Sequence, residues 1–378
     1  MNQGHHAPTQ TTPGVPMIRI ELQHEMFRFD RRVLLAAPDM TVTTLRLPND
    51  IEVLALQTAR LVVEILPFRG QQVWQAWVDG QPIGMRGMQD TPRAGDTILE
   101  AFGAFVYHCG LLGIAAPGPE DDHPLHGELP LARMDRAWLE VTDTPGGTQL
   151  LVGGQFDYSK AFRAHYRWSP SVAVVAGQTA FEITARIENL MRSPLPFMYL
   201  AHPNFLPADD CQLAYSAPYG PDHVRVRMSV PGHLGDKPGY REQLAVFRDD
   251  PSLHHRLSKQ DMFDPEVVFE IDYIADTDGF AHTLQVHPDG KADWVAHRPS
   301  DCPVAIRWIS RTPEQDCIAL AEPATSGLHG YTEERRRGHV PELAAGASWE
   351  TKLRLGRLDP ADARQIQTRI DALTGRGP

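Results

Sequence analysis

Apolar and polar residues alternate with a period of two from one end of the chain to the other, and this pattern restricts the fold more than any other feature of the sequence. In TAFEITARIEN, Phe181, Ile183, Ala185 and Ile187 share one face while Glu182, Thr184, Arg186 and Glu188 share the other, as in a half-buried antiparallel strand. SWETKLRL repeats the scheme, with Trp349, Thr351, Leu353 and Leu355 opposite Glu350, Lys352 and Arg354. Residues 52–67 read as a long paired strand candidate. Further strand-like runs fall at 17–22, 41–47, 72–78, 136–142, 148–157, 162–168, 223–230, 267–273, 282–287, 303–309 and 317–322, with turn sequences such as VDGQ, TPGG and HPDGK between them. Helical signals concentrate at the C-terminus, where Asp359 is expected to N-cap a helix that has Pro360 in its first position and runs on through Ala361 to Leu373. That helix is expected to pack on the outside. Proline, at 32 of 378 residues, stands above the average usage of about 5% and is spread along the chain, which favours short elements joined by turns. With no Gly/Ser linker, no repeat and no βαβ alternation, the expected fold is all-β: one large antiparallel β sandwich over residues 17–378, preceded by a loose leader at 1–16.

Hydrophobic residues make up 42% of the chain and charged ones 22%, ordinary values for a globular protein with a real core. The net charge of −12 repels polyanions, and the basic run Arg335-Arg336-Arg337 follows Glu333 and Glu334, the pattern of a solvated turn, so nucleic acid is not an expected partner. Nowhere are there the ~18 consecutive apolar residues of a membrane span, and the N-terminus lacks the basic start and apolar stretch of a secretion signal. The four cysteines, Cys109, Cys211, Cys302 and Cys317, lie far apart without CxxC spacing and read as reduced thiols. The expectation is a cytoplasmic protein that engages no membrane; its oligomeric state is left open.

Three stretches break the strand pattern by setting ionisable residues among apolar or turn residues. DDHPLHGELP carries His123, His126 and Gly127; PFMYLAHPNFLP carries His202 just before Pro203; CIALAEPATSGLHGY carries Glu322 just before Pro323. A carboxyl or imidazole at the end of an inward strand is partly desolvated, which raises the first pKa, lowers the second and suits both to proton transfer near pH 7. The plainer alternative makes His202 a hydrogen-bonded core histidine and Glu322 a strand-end charge. The two histidines of HPLHG lack an evident third and fourth ligand for a metal, which leaves substrate contact or a structural loop. His108, beside Cys109 in an apolar region, reads as core.

In that order, and separated by about 75 and 120 residues, HPLHG, YLAHPNF and LAEPAT resemble the landmarks of the aldose 1-epimerase (galactose mutarotase) superfamily, with the closest agreement in a divergent branch. The resemblance runs from about residue 50 to 356, supported by ILPFRGQQVWQAWVDGQPI and LAAGASWETKLRLG. It implies a supersandwich of antiparallel sheets with a concave sugar cleft, a small-molecule carbohydrate as partner, and interconversion of sugar anomers without cofactor or metal. By the same resemblance, His202 matches the general acid at the ring oxygen, Glu322 the base at the anomeric hydroxyl, and His126 a histidine that holds the sugar. His123 falls only partly within the motif. Arg69 in PFRG is either a substrate-gripping arginine or a strand-end surface residue, and Trp308 either stacks on a sugar or belongs to the core. Hemiacetal opening needs one proton delivered to the ring oxygen and another removed from the C1 hydroxyl, so acid and base are expected on opposite sides of the anomeric centre. Ala201 stands where many mutarotases have Asn, which keeps two other readings open: a sugar-binding or sensing protein without turnover, and a different acid/base isomerase or lyase acting on a modified sugar.

Overall fold

The computed structural model describes residues 17–37, 39–235 and 237–376. The expected leader lies outside the described residues. Two antiparallel sheets dominate, one of ten strands and one of twelve. The ten-stranded sheet contains the strands whose alternation is plainest. Along Ala180–Asn189, Phe181, Ile183, Ala185 and Ile187 are buried while the residues between them reach solvent, and Ser348–Leu358 pairs with it in the matching register. Residues 52–67 form a hairpin, Glu52–Thr58 with Leu61–Leu66, in the twelve-stranded sheet. A continuous apolar cluster that includes Leu54, Val63, Phe105, Trp168, Ile183, Phe205 and Leu353 fills the space between the sheets.

Five neighbouring strands occupy the middle and one side of the twelve-stranded sheet: β1 (Val106–Leu111), β2 (Met198–Pro203), β3 (Phe263–Ile271), β4 (Val304–Arg311) and β5 (Asp316–Ala324), in the spatial order β3-β4-β5-β2-β1. Every residue of β1 and β2 is buried, because a second apolar cluster, with Tyr107, Met198, Leu200, Ile306, Trp308 and Ala319, covers the face turned away from the first. Strands covered on both faces lose their alternation, which is why β1 is absent from the sequence expectation.

The C-terminal helix runs Pro360–Thr374 and buries Ala363 and Ile370 against Ala214, Leu284, Ala292 and Leu358, on the outside of the ten-stranded sheet. Its start differs from expectation in one respect. Asp359 makes no side-chain cap; its carboxylate pairs with Arg60 at 2.7 Å, a stronger acceptor's partner than a backbone amide. Two shorter helices, Tyr240–Asp249 and Tyr331–Arg336, accompany the C-terminal one. No helix of the described residues is long and apolar enough to cross a membrane, and the four cysteines are free and buried.

Candidate active site

Glu322 reaches the second face of its sheet through an irregularity in β5. Along this strand Cys317 and Ala319 belong to the outer apolar cluster and Ile318 and Leu320 to the cluster between the sheets. Strict alternation would turn Glu322 inward with Ile318 and Leu320. The ladder with β4, however, pairs Trp308 with Ala319 and Ile306 with Glu322, so Leu320 and Ala321 together face the single residue Arg307. This β-bulge adds one residue and reverses the parity beyond it. Both bulged residues are fully buried between the sheets, and Glu322 emerges beside Ile306 on the opposite face.

His202 arrives from β2 on the same face as Met198 and Leu200. Its Nδ1 lies 3.1 Å from Glu322 Oε1, with both side chains buried. The two atoms are not aligned as a hydrogen bond, and neither has another partner. Rings surround the imidazole: Trp308 at 5.4 Å, Phe102 at 6.1 Å and Tyr107 at 6.5 Å between centroids, all edge-on. Phe102 is brought there by Tyr107, whose hydroxyl accepts from the amides of Gly103 and Ala104 and donates to the Ala101 carbonyl, pinning the loop across the sheet. Burial drives the pKa of His202 down to about 4, a hydrogen bond with Asn204 recovering part of the loss. Burial raises the carboxyl of Glu322 well above the usual range; the charge of Glu266 adds to this and Arg227 opposes it. Both shifts favour the uncharged forms, a neutral imidazole beside a carboxyl that holds its proton more tightly than usual. The expectation that acid and base flank the anomeric carbon is not met, since 3.1 Å leaves no room for a carbon between them; they stand side by side on one wall.

His126 lies in the loop that crosses this wall, its ring 5.3 Å from that of His202 and tilted by 66°. Its backbone is left-handed, φ 61°, a conformation uncommon for histidine, held by bonds from its amide to Ala115 and from Gly110 to its carbonyl. Gly127 follows at φ 77°, and a Cβ there would come within 2.4 Å of the carbonyl oxygens of both Gly110 and Gly113. The His-Gly pair is thus a packing requirement of the loop that presents the imidazole. Burial, then the neighbouring His202, hold the pKa of His126 well below the ordinary value.

His126, His202, Glu322 and Trp308 line one cavity of about 540 Å³. The structure does not bring the other two expected residues into its lining. The His123 ring packs flat on Gly113 and its Nδ1 bonds the Pro124 carbonyl, so it braces the loop from behind. Arg69 donates to the Gly95 carbonyl, holding the loop from which Ile98, Leu99 and Phe102 reach the cavity. His108 faces away, its Nδ1 bonded to the Tyr199 hydroxyl at 2.7 Å, and Ala201 likewise points between the sheets. Arg227 and Glu266 are among the lining residues that escaped the sequence reading. Arg227 binds Glu266, and Glu266 accepts from Trp308 Nε1 at 2.7 Å, forming a polar ledge next to the His202/Glu322 pair. Glu266 follows Pro265 where His202 and Glu322 each precede a proline, so the criterion that singled out those two does not reach it. Five buried polar atoms on this lining, Gln89 Oε1, His126 Nδ1, His202 Nδ1, Arg227 Nε and Glu322 Oε1, have no hydrogen-bond partner among the described residues. Buried polar atoms are ordinarily satisfied, so their convergence marks a surface shaped for a hydrogen-bonding ligand.

Comparison with solved structures places this arrangement in a known architecture. A candidate aldose 1-epimerase from Klebsiella pneumoniae subsp. pneumoniae superposes with a TM-score of 0.77 over 92% of this chain and 92% of its own, at 18% identity. The fold is galactose mutarotase-like. A galactose mutarotase-like protein from Clostridium acetobutylicum (TM-score 0.57, 15% identity, 85% of this chain and 100% of that one) and a candidate aldose 1-epimerase from Escherichia coli K12 (0.51, 15%, 81% and 98%) share it. Residues 49–207 match a family described as a domain of unknown function, DUF4432. No curated protein matches the sequence. Within the mutarotase-like fold the cavity lies on the covered face of the twelve-stranded sheet, at the strands that carry His202 and Glu322.

Proposed function

We propose that the cavity binds a free sugar and that His202 and Glu322 interconvert its anomers by opening and reclosing the ring. The observation that carries this reading is the 3.1 Å contact between His202 Nδ1 and Glu322 Oε1, buried atoms without another partner among the described residues, on the wall of a cavity with His126 alongside. The ring oxygen and the anomeric hydroxyl are bonded to the same carbon, so an acid and a base set side by side address both from one direction, with the sugar lying over the pair. Bound hydroxyls replace the solvation that burial removed, and the short contact lets the proton of Glu322 pass to His202. Protonated His202 then delivers it to the ring oxygen while the Glu322 carboxylate takes the proton of the C1 hydroxyl. Rotation about C1–C2 and the reverse transfers close the other anomer. Each positioned group contributes on the order of 10² to 10⁴ in rate, which suits a reaction that already proceeds unaided. His126 Nδ1, Arg227 and Glu266 are placed to hold the remaining hydroxyls, and Trp308 offers an apolar face to the ring.

Saturation-transfer NMR over a panel of aldoses, uronic acids and amino sugars tests the proposal by measuring anomer exchange against buffer. Acceleration of at least one sugar is expected. Sugar-induced thermal stabilisation without acceleration would assign the cavity to binding alone, and a product of altered mass or constitution would assign it to a different isomerase or lyase.

A further inference from the structure

Arg307 is fully buried between the two sheets, and among the described residues no carboxylate lies within ion-pair distance of it. Its guanidinium is held by neutral groups: Nη1 bonds His254 Nε2 at 2.7 Å, Nη2 approaches the Tyr273 hydroxyl at 3.4 Å, and the plane lies over the Tyr215 ring at 4.3 Å. Such a site is a costly place for a cation, and a methionine or leucine would fill the volume without desolvating a charge. What Arg307 does there is specific. Its Nε donates to the carbonyl of Leu320 at 3.2 Å, and Leu320 is one of the two residues that the ladder sets against Arg307. A bulge takes residues out of the regular ladder, and a carbonyl left bare between two sheets carries the penalty of a lost buried hydrogen bond. The Tyr273 hydroxyl gives the same oxygen a second, weaker contact at 3.5 Å.

We propose that Arg307 is a positioning residue: by satisfying the Leu320 carbonyl it fixes the bulge in β5, and the bulge is what turns Glu322 out of the inter-sheet core and into the cavity. The Arg307 side chain does not line the cavity, so its effect on Glu322 runs through the backbone. The proposal rests on Glu322 being the working carboxyl of the cavity, but not on the identity of the reaction.

The test follows the Glu322 carboxyl itself. Protein labelled with ¹³C at the glutamate carboxyl carbon is titrated by NMR, the Glu322 signal being assigned by its loss in Glu322→Gln. Glu334, whose carboxyl sits between His329 and His339 on the far side of the loop after β5, serves as an internal mark of native folding. In Arg307→Met the Glu322 midpoint should rise by about one unit or more as the carboxyl is turned from the cavity toward the apolar space between the sheets, with the Glu334 signal unmoved. Arg307→Lys, which keeps one donor, should lie between. Where a sugar is turned over, kcat should fall about 10²-fold with KM little changed, the effect expected of a misplaced group. A Glu322 midpoint identical to that of the parent in folded Arg307→Met overturns the proposal; if that variant does not fold, an unchanged midpoint in Arg307→Lys does so. Because the titration needs no turnover, failure of the anomerisation reading and failure of this one are seen separately.

Discussion

The ten-stranded sheet and the middle of the twelve-stranded sheet are built from the same antiparallel ladder, yet they treat their second faces differently. In the first, the faces opposite Phe181, Ile183 and Leu353 carry Glu182, Thr184 and Lys352 and meet water. In the second, the face opposite Tyr199 and Ala201 carries Met198, Leu200 and His202 and is covered again. A polar residue on the first face is a solvated surface group, whereas the same residue on the second is desolvated and shifted in pKa. The difference locates the site: proton carriers are useful where the second face is closed to solvent but open to a cavity.

The largest effect that would sharpen this contrast is on chemistry. His202→Ala and Glu322→Gln should each lower anomer exchange by about 10² to 10⁴, with the double variant little worse than either because the two act as a unit. Glu322→Gln should keep the parental thermal midpoint, whereas His202→Ala should lower it by emptying the volume among Trp308, Phe102 and Tyr107. If both variants keep parental rates, the pair is a packing feature and the contrast between the sheets has no functional content. Next comes stability. Leu200→Lys, on the covered face of β2, should destabilise by more than about 4 kcal/mol in urea denaturation, whereas Thr184→Lys, on the wet face of the ten-stranded sheet, should stay within about 0.5 kcal/mol. Comparable losses in the two would show that the faces are not distinguished as described.

A third prediction concerns pH. The unfolded chain protonates its histidines near 6.5, while the folded chain keeps His202 neutral down to about 4 and His108 down to about 3. Protons therefore bind the unfolded state preferentially in this interval, and stability should fall as pH drops from 6.5 toward 4, measured as the thermal midpoint. His108→Gln should reduce that dependence. Exchange activity should fade on the acid side as His202 titrates near 4, and on the alkaline side only where the raised Glu322 carboxyl loses its proton. The smallest effect is expected from Arg227→Met, about a tenfold rise in KM with kcat nearly unchanged, if the ledge binds sugar hydroxyls equally in ground and transition states.

Alternation made strands such as Ala180–Asn189 and Ser348–Leu358 legible because each has a wet face to report. It failed for β1, where VYHCGL is buried throughout and gives no period, and for the short helices, whose polar faces do not stand out among turns. His202 and Glu322 were visible as ionisable residues beside prolines in apolar runs. Their spatial relation was not, because the bulge that directs Glu322 involves Leu320 and Ala321, two apolar residues that read as ordinary strand. Arg69 and His123 carry motif positions but support the cavity's loops from behind, a distinction that depends on tertiary packing around Gly95 and Gly113.

The reversal of parity at Leu320 and Ala321 has a bearing on how sequences of this kind diverge. A descendant of unchanged length whose strand ran straight through Leu320 and Ala321 would keep its sheets, its proline and its glutamate, and would align through LAEPAT without a gap. Its carboxyl would nonetheless point at the opposite sheet, so an inert copy and an active one could share both the spacing and every residue of the motif.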